Sequence, residues 1–294
     1  MEKGRHHRYL KPEDVARLAS FEFAPKLIAD GYLAGKHRTR TRGSSTEFQE
    51  YREYAEGDDP SLVDWRVYAR TDRHYVRTFV HETNVECHIF LDSSASMGFA
   101  AGREQSKLDY ASFFSAALAY LVVKTGNRVS LQMFDEAIRH HFPVGSTHQH
   151  LNNLLNALEK NEPGNATSIS AALKRGFPLL KRKGTLVIIS DFFDEPAQIF
   201  SALAGYLHRG FKIHLIHVLT PEEIELPLRG ITTFVDMETQ RKLVAQPASI
   251  RKAYAEAMQG HIQVLRQFSI RRGIDYSLAR TDRHYFELFD KLIK

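Results

Sequence analysis

From residue 87 to the C-terminus, short apolar runs alternate with segments whose apolar residues recur every three to four positions. That alternation restricts the fold to an open, mostly parallel α/β sheet with helices on both faces. The spacing predicts strands at 87–91, 129–134, 185–190, 212–219 and 274–278. It predicts helices from about 107 to the stop at Gly126, and over 151–158, 167–177, 197–208, 250–271 and from about 284. The first long helix carries Leu108, Tyr110, Ala111, Phe114, Leu118, Leu121 and Val122 on one broad stripe. Residues 231–246 break the alternation with two short β-like pieces joined by a polar turn, and read as an inserted hairpin.

The preceding residues read differently. Pro12, Glu13 and Asp14 open a helix that Gly31 closes, since proline and acids suit a helix N-terminus. Residues 36–61 read as irregular, with a basic run (Lys36, His37, Arg38, Arg40, Arg42), then Gly43-Ser44-Ser45, then the turn signal Gly57-Asp58-Asp59-Pro60. β-like pieces follow at 63–68 and 75–80. The expected organisation is an N-terminal helix and small β-containing segment over 1–84, packed on a core domain over 85–294. The heptapeptide Ala69-Arg70-Thr71-Asp72-Arg73-His74-Tyr75 recurs unchanged at 279–285; two copies with unlike flanks do not make a solenoid.

Composition excludes several classes. Apolar residues make up 43% and charged residues 26% of 294, the proportions of a globular chain. A net charge of +5 is too small to single out nucleic acid as partner. One cysteine, Cys87, excludes an intrachain disulfide and a cysteine metal cluster, and points to a reducing, cytoplasmic setting. No apolar run reaches the roughly 18 to 20 residues that cross a bilayer, so direct membrane insertion is not expected.

Three loops carry hard oxygen donors to the C-terminal edge of the predicted sheet, where open α/β folds bind ligands. They are Asp92-Ser93-Ser94-Ala95-Ser96, Asn165-Ala166-Thr167 and Ser190-Asp191. Carboxylates and hydroxyls suit Mg²⁺ better than Zn²⁺. With two acids at most, the ion retains an open position for an outside carboxylate. The bland alternative is that Asp92 and Ser94 cap the helix that follows.

An Asp-x-Ser-x-Ser loop after the first strand, a later Thr at a helix start, and an Asp after a further strand resemble the metal-ion-dependent adhesion site of von Willebrand factor A domains. The resemblance implies Ser94 and Ser96 as direct ligands, Thr167 as a direct or water-mediated one, and Asp92 and Asp191 acting mainly through water. The cation is then Mg²⁺, with Mn²⁺ or Ca²⁺ as substitutes. A wider match covers most of the chain. Gly43 to Phe48, Tyr51-Arg52-Glu53-Tyr54, Gly57-Asp58-Asp59, Asp64-Trp65-Arg66, Ala69 to Arg73, Tyr75-Val76-Arg77, Ser190 to Asp194, Asp236 to Thr239 and Arg251 to Tyr254 resemble the bacterial domain-of-unknown-function 58 family. Its members accompany MoxR-type AAA+ ATPases. The resemblance implies a non-enzymatic, Mg-dependent adaptor gripping an acidic residue of the ATPase or its client. The alternatives are a metal-free scaffold and a nucleic-acid-associated A domain.

Enzymatic readings lack support in the motifs. Ser94 has no Gly-x-Ser-x-Gly elbow, and there is no phosphate-binding Gly-x-x-x-x-Gly-Lys-Ser/Thr loop. The pairs His140-His141 and His148/His150 lack zinc-site spacing. Arg66, Arg70 and Arg73 are expected to pair with Glu53, Asp58 or Asp64.

Overall fold

The structure, a computed structural model, describes residues 7–19, 46–54, 63–81 and 85–293. Gly31, the basic run at 36–42, the 43–45 segment and the 57–60 turn lie outside the described residues. By contacts the chain divides into one compact unit of Met1–Gly35 with Val85–Lys294 and another of Lys36–Asn84.

In the larger unit the described elements are α1 (Pro12–Ala19), β3 (Glu86–Asp92), α3 (Lys107–Lys124), β4 (Arg128–Phe134), β5 (Ile138–Gly145), α4 (His148–Glu159), α5 (Ile169–Gly176), β6 (Thr185–Ser190), α6 (Pro196–His208), β7 (Lys212–Leu219), α7 (Pro221–Glu225), β8 (Thr232–Val235), β9 (Lys242–Ala245), α8 (Pro247–Arg271), β10 (Asp275–Arg280) and α9 (Phe286–Ile293). The smaller unit holds β1 (Thr46–Glu53), α2 (Trp65–Thr71) and β2 (Tyr75–His81), with β1 and β2 antiparallel.

The main sheet has the order β10-β7-β6-β3-β4-β5. All its pairings are parallel except that of the edge strand β5 with β4. Every residue of β3 is buried, because its two faces serve two cores. Ile89 and Leu91, with Val187 and Ile189 of β6, pack under Phe114, Leu118 and Leu121 of α3 and under Leu154 of α4. The alternate residues Phe90, Leu186 and Ile188 face Leu173 of α5 and Phe200, Leu203 and Tyr206 of α6. The period-2 alternation of the strands thus produces the expected Rossmann-like arrangement of a sheet covered on both sides. Residues 7–19 belong with this body: the Tyr9 hydroxyl donates to Asp109 Oδ1 at 2.7 Å and its ring meets Phe113 edge-on.

Several local expectations are corrected. Residues 63–68 were expected as strand, but Val63 makes only a single bridge and a helix runs from Trp65 to Thr71. Asp64 is its N-cap, accepting the N–H groups of Arg66 (3.0 Å) and Val67 (3.4 Å), which overrides the β preference of Val and Tyr. Of the expected arginine pairs, Arg73 does meet Glu53 at 3.4 Å. Strand β5 was not expected; its Arg-His-His run masks it, and pairing with β4 supplies the order that its own pattern lacks. The repeated heptapeptide adopts two structures. At 69–75 it ends a helix, turns with Asp72 at φ 54° and starts a strand; at 279–285 it ends a strand and turns into a helix. Identical residues thus follow their tertiary neighbours and not their own propensity.

His88 in β3 is buried with Nδ1 2.7 Å from Ser130 Oγ. Burial, with positive charge from His141 and Arg128, pushes its pKa down to about 4. The folded protein holds it neutral while the unfolded chain protonates it near 6.5, so its share of stability is intact above about pH 6.5 and declines as pH falls toward 4. Urea titrations across this range are expected to show His88→Gln losing stability less steeply than the parent, by up to about 1.4 kcal/mol per pH unit; parallel slopes contradict the assignment.

Candidate functional site

The C-terminal ends of β3 and β6 are adjacent in the sheet, so Asp92 and the Ser190-Asp191 pair arrive side by side. Asp92 is fully buried. Its Oδ1 accepts the Ser94 N–H at 2.9 Å and its Oδ2 accepts the Ser190 hydroxyl at 2.6 Å. The Ser190 Oγ in turn accepts the Phe192 N–H at 3.0 Å, fastening the turn in which Phe192 sits at φ 50°. Burial first, then the negative charge of Asp191, raises the Asp92 pKa to about 7, while the hydrogen bonds from Ser190 and Ser94 pull it back. Ser94 and Ser96 share a hydroxyl contact of 3.2 Å.

The 165–167 loop reaches the same rim. Ala95 N–H donates to Asn165 O at 2.9 Å and Gly164 N–H to Ser93 O at 2.6 Å, lashing the two loops together. Asn161 adds a bond from Nδ2 to Ser93 Oγ at 2.8 Å. Helix α5 starts at Ile169, two residues later than expected, which leaves Thr167 outside it with its N–H donating to Glu238 Oε1 at 3.2 Å.

The group that organises this rim is Lys107. It is wholly buried, and its Nζ stands 2.7 Å from Asp191 Oδ2 and 2.6 Å from Glu223 Oε1. Burial alone disfavours its charge, but Asp191 and Glu223 outweigh that and raise its pKa above the usual lysine value. The other oxygen of Glu223 accepts the Thr220 N–H at 2.8 Å and the Glu223 N–H returns to Thr220 Oγ1 at 3.2 Å, a reciprocal cap that fixes the carboxylate at the start of α7. The ammonium also lies 5.3 Å from the centre of the Phe193 ring, which is half exposed. His217, beneath, is neutral: burial drives its pKa to about 3, and its Nδ1 is 2.7 Å from Tyr276 Oη.

This geometry corrects the expectation of a Mg²⁺ site, with Mn²⁺ or Ca²⁺ as substitutes. Among the described residues no group of three or more His, Cys, Asp or Glu side chains is arranged to hold a metal ion. The structure does bring Asp92, Ser94, Ser96, Thr167 and Asp191 to one rim, but their strongest donors are committed elsewhere. Both Asp92 oxygens are engaged, and Asp191 meets a lysine. The positive charge expected from a dissolved ion is supplied by a side chain. The Mg-dependent grip on a partner's carboxylate is withdrawn with it, and the donors present do not fit such an ion.

Sequence reasoning missed Lys107, Glu223 and Glu238. One signal was available: a lysine at the first position of a helix opposes the helix dipole and calls for a buried partner. The Thr220-Pro221-Glu222-Glu223 capping box was legible too, but not that its acid would also serve Lys107. The link from Lys107 to Glu223 spans 116 residues and leaves no local trace.

Comparison with known proteins adds the family. Residues 50–264 match the family model described as "Protein of unknown function DUF58". An uncharacterized protein of Mycobacterium tuberculosis (strain ATCC 25618 / H37Rv) is 29% identical over 280 residues, covering 93% of this chain and 87% of that protein. An uncharacterized protein of Mycobacterium bovis matches to the same extent. Among solved structures, the conserved hypothetical protein BatB from Bacteroides thetaiotaomicron aligns with 16% identity and a TM-score of 0.49, over 71% of this chain and 97% of that one.

Removing Lys107 strands two carboxylates. Lys107→Met is expected to lower unfolding free energy by about 3 to 5 kcal/mol in urea denaturation. Adding Asp191→Asn and Glu223→Gln to that variant is expected to recover most of the loss, because neutral amides no longer need the ammonium. A Lys107→Met change that costs less than about 1 kcal/mol, within the range of an exposed pair, contradicts the buried-cation account.

Proposed function

We propose, from the premise that this chain belongs to the DUF58 family, that it is a non-enzymatic scaffold which binds other proteins without a metal ion. The observation that carries this reading is that the acids of the rim are engaged by side chains and backbone of the protein itself. Lys107 sits between Asp191 and Glu223, and Asp92 accepts a hydrogen bond at each oxygen. The same commitments support the non-enzymatic reading. Both Asp92 oxygens accept hydrogen bonds, which weakens them as nucleophiles, and the Ser94 hydroxyl is paired with that of Ser96 and not with a base.

The finer partner assignment is a proposal that rests on the family resemblance: a MoxR-type AAA+ ATPase or its client, met in the cytoplasm. The single, buried Cys87 supports a reducing compartment, its thiol pushed up to about 12 by burial. No described helix is long and apolar enough to cross a membrane. Nucleic acid is disfavoured because arginines near acids are engaged, as Arg128 is with Glu86 and Arg280 with Glu225 and Asp282.

A pull-down of purified chain against the nucleotide-free ATPase, with EDTA or with Mg²⁺, tests the reading. Capture is expected to change less than about twofold between the two conditions, under about 0.4 kcal/mol. Loss of capture in EDTA, restored by Mg²⁺, overturns the metal-free scaffold.

A further inference from the structure

The edge of the sheet opposite the rim collects positive charge. Helices α3, α5, α6 and α8 all run toward it, because each precedes the start of a parallel strand. The loops there, entering β4, β6, β7 and β10, each carry lysine or arginine. Helix ends account for part of this, since a cation offsets the negative end of the helix dipole, as Lys124 does in α3 and Arg271 in α8. The densest run is not explained that way. Lys181-Arg182-Lys183 is separated from the end of α5 by a short turn at Phe177–Leu179 and by Leu180.

Acids are scarce along this edge. Among the described residues of these loops and the strand starts of the parallel sheet, the acids are Glu86 and Asp275. Glu86 is buried against Arg128 at 3.1 Å, and Asp275 meets Lys212 Nζ at 3.6 Å. Arg209 and Arg272 are turned inward, donating to the carbonyl oxygens of Leu180 and Phe268. That leaves Lys181, Arg182, Lys183 and Arg271, all exposed and none in ion-pair contact with a described acid. Strands β6, β7 and β10 are neighbours, so their starts lie within about 10 Å and these cations form one patch. The Lys183 stem reaches across to the next loop, 3.6 Å from where a Cβ on Gly210 would stand. Two aliphatic side chains flank the cations: Ile270, before Arg271, is 70% exposed, and Leu179, before the lysine run, is 40% exposed.

We propose that this edge docks the protein onto an anionic phospholipid surface, with Lys181, Arg182, Lys183 and Arg271 meeting headgroup phosphates and Ile270 and Leu179 dipping into the interfacial layer. The aliphatic tips decide for a lipid surface over other polyanions. Exposed cations beside exposed aliphatic side chains are the chemistry of interfacial binding, in which apolar burial and attraction to anionic lipid add. A nucleic acid backbone offers Ile270 nothing to bury against. Nor do these loops present aromatic rings for bases to stack on: Phe177 lies under the Arg209 guanidinium at 3.6 Å, and Phe211 is buried. The docking is peripheral, for no described helix is long and apolar enough to cross a membrane. Because the patch and the rim lie at opposite edges of the sheet, a docked molecule keeps its rim away from the lipid, and the proposal stands independently of the metal-free scaffold.

Cosedimentation of the full chain with phosphatidylcholine vesicles, with and without about 30% phosphatidylglycerol, tests the proposal. Binding is expected to be at least about tenfold tighter to the anionic vesicles and to weaken at least about tenfold between about 0.05 and 0.5 M salt. The triple variant Lys181→Gln, Arg182→Gln, Lys183→Gln is expected to lose at least about tenfold. Should that variant misfold, Arg271→Gln takes its place, with an expected loss of at least about threefold. An environment-sensitive dye on Ile270→Cys, which takes the label selectively because Cys87 is buried, is expected to shift its emission to the blue on anionic vesicles. Equal binding to neutral and anionic vesicles, a folded charge variant that binds like the parent, or an unshifted dye overturns the proposal. So does tighter binding, per phosphate, of a duplex DNA oligonucleotide than of anionic vesicles at the same salt.

Discussion

A fully buried ammonium between two carboxylates is the interaction around which this rim is built. Lys107, Asp191 and Glu223 come from the start of α3, the end of β6 and the start of α7, so a single charge cluster joins both layers of the fold at the edge of the sheet. Burying three charges is costly, and the cost is offset only if the geometry is good and the remaining oxygens are satisfied. Contacts of 2.6 and 2.7 Å are in the range of charge-assisted bonds, and the second Glu223 oxygen is capped by the Thr220 N–H. The cluster carries a net negative charge, and Asp92, raised first by its own burial and then by the charge of Asp191, holds its proton more tightly.

From that follows the character of the surface above it. A dissolved cation brings an exchangeable position to a rim, whereas a lysine tied to α3 brings charge without one. What remains for contact is the half-exposed Phe193 ring beside the paired hydroxyls of Ser94 and Ser96. Such a surface suits recognition by shape and single hydrogen bonds. The Thr167 N–H of this rim is taken by Glu238 of the hairpin turn.

Most of the fold was legible because its signals are local. The β6 run is apolar over Leu186–Ile189, the β7 run carries Ile213, Leu215, Ile216, Val218 and Leu219, and the hairpin announced itself by breaking the alternation. Where local signals conflict, reading failed: Val67 and Tyr68 suggested strand, yet Asp64 capped a helix, and the repeated heptapeptide ends a helix once and a strand once. The site was legible as a place but not as a mechanism. Strand ends carrying Asp92 and Asp191 located the rim, since topology alone brings such residues together. Whether their oxygens remain free is decided by Lys107, Ser190 and Glu223, whose contacts join residues 84 to 116 apart in the chain and follow from packing alone.

The central claim is that a lysine and not a dissolved ion meets the acids of this rim. Titrating Mn²⁺ into isotopically labelled protein and following amide signals by NMR tests it most directly, because a bound paramagnetic ion broadens every nucleus within its reach. The account predicts that the Ser94, Ser96, Thr167 and Asp191 amides broaden no more than those of exposed acids elsewhere, with the Lys107 ammonium signal unmoved. Selective, saturable broadening of those four amides, with displacement of the Lys107 signal, contradicts it.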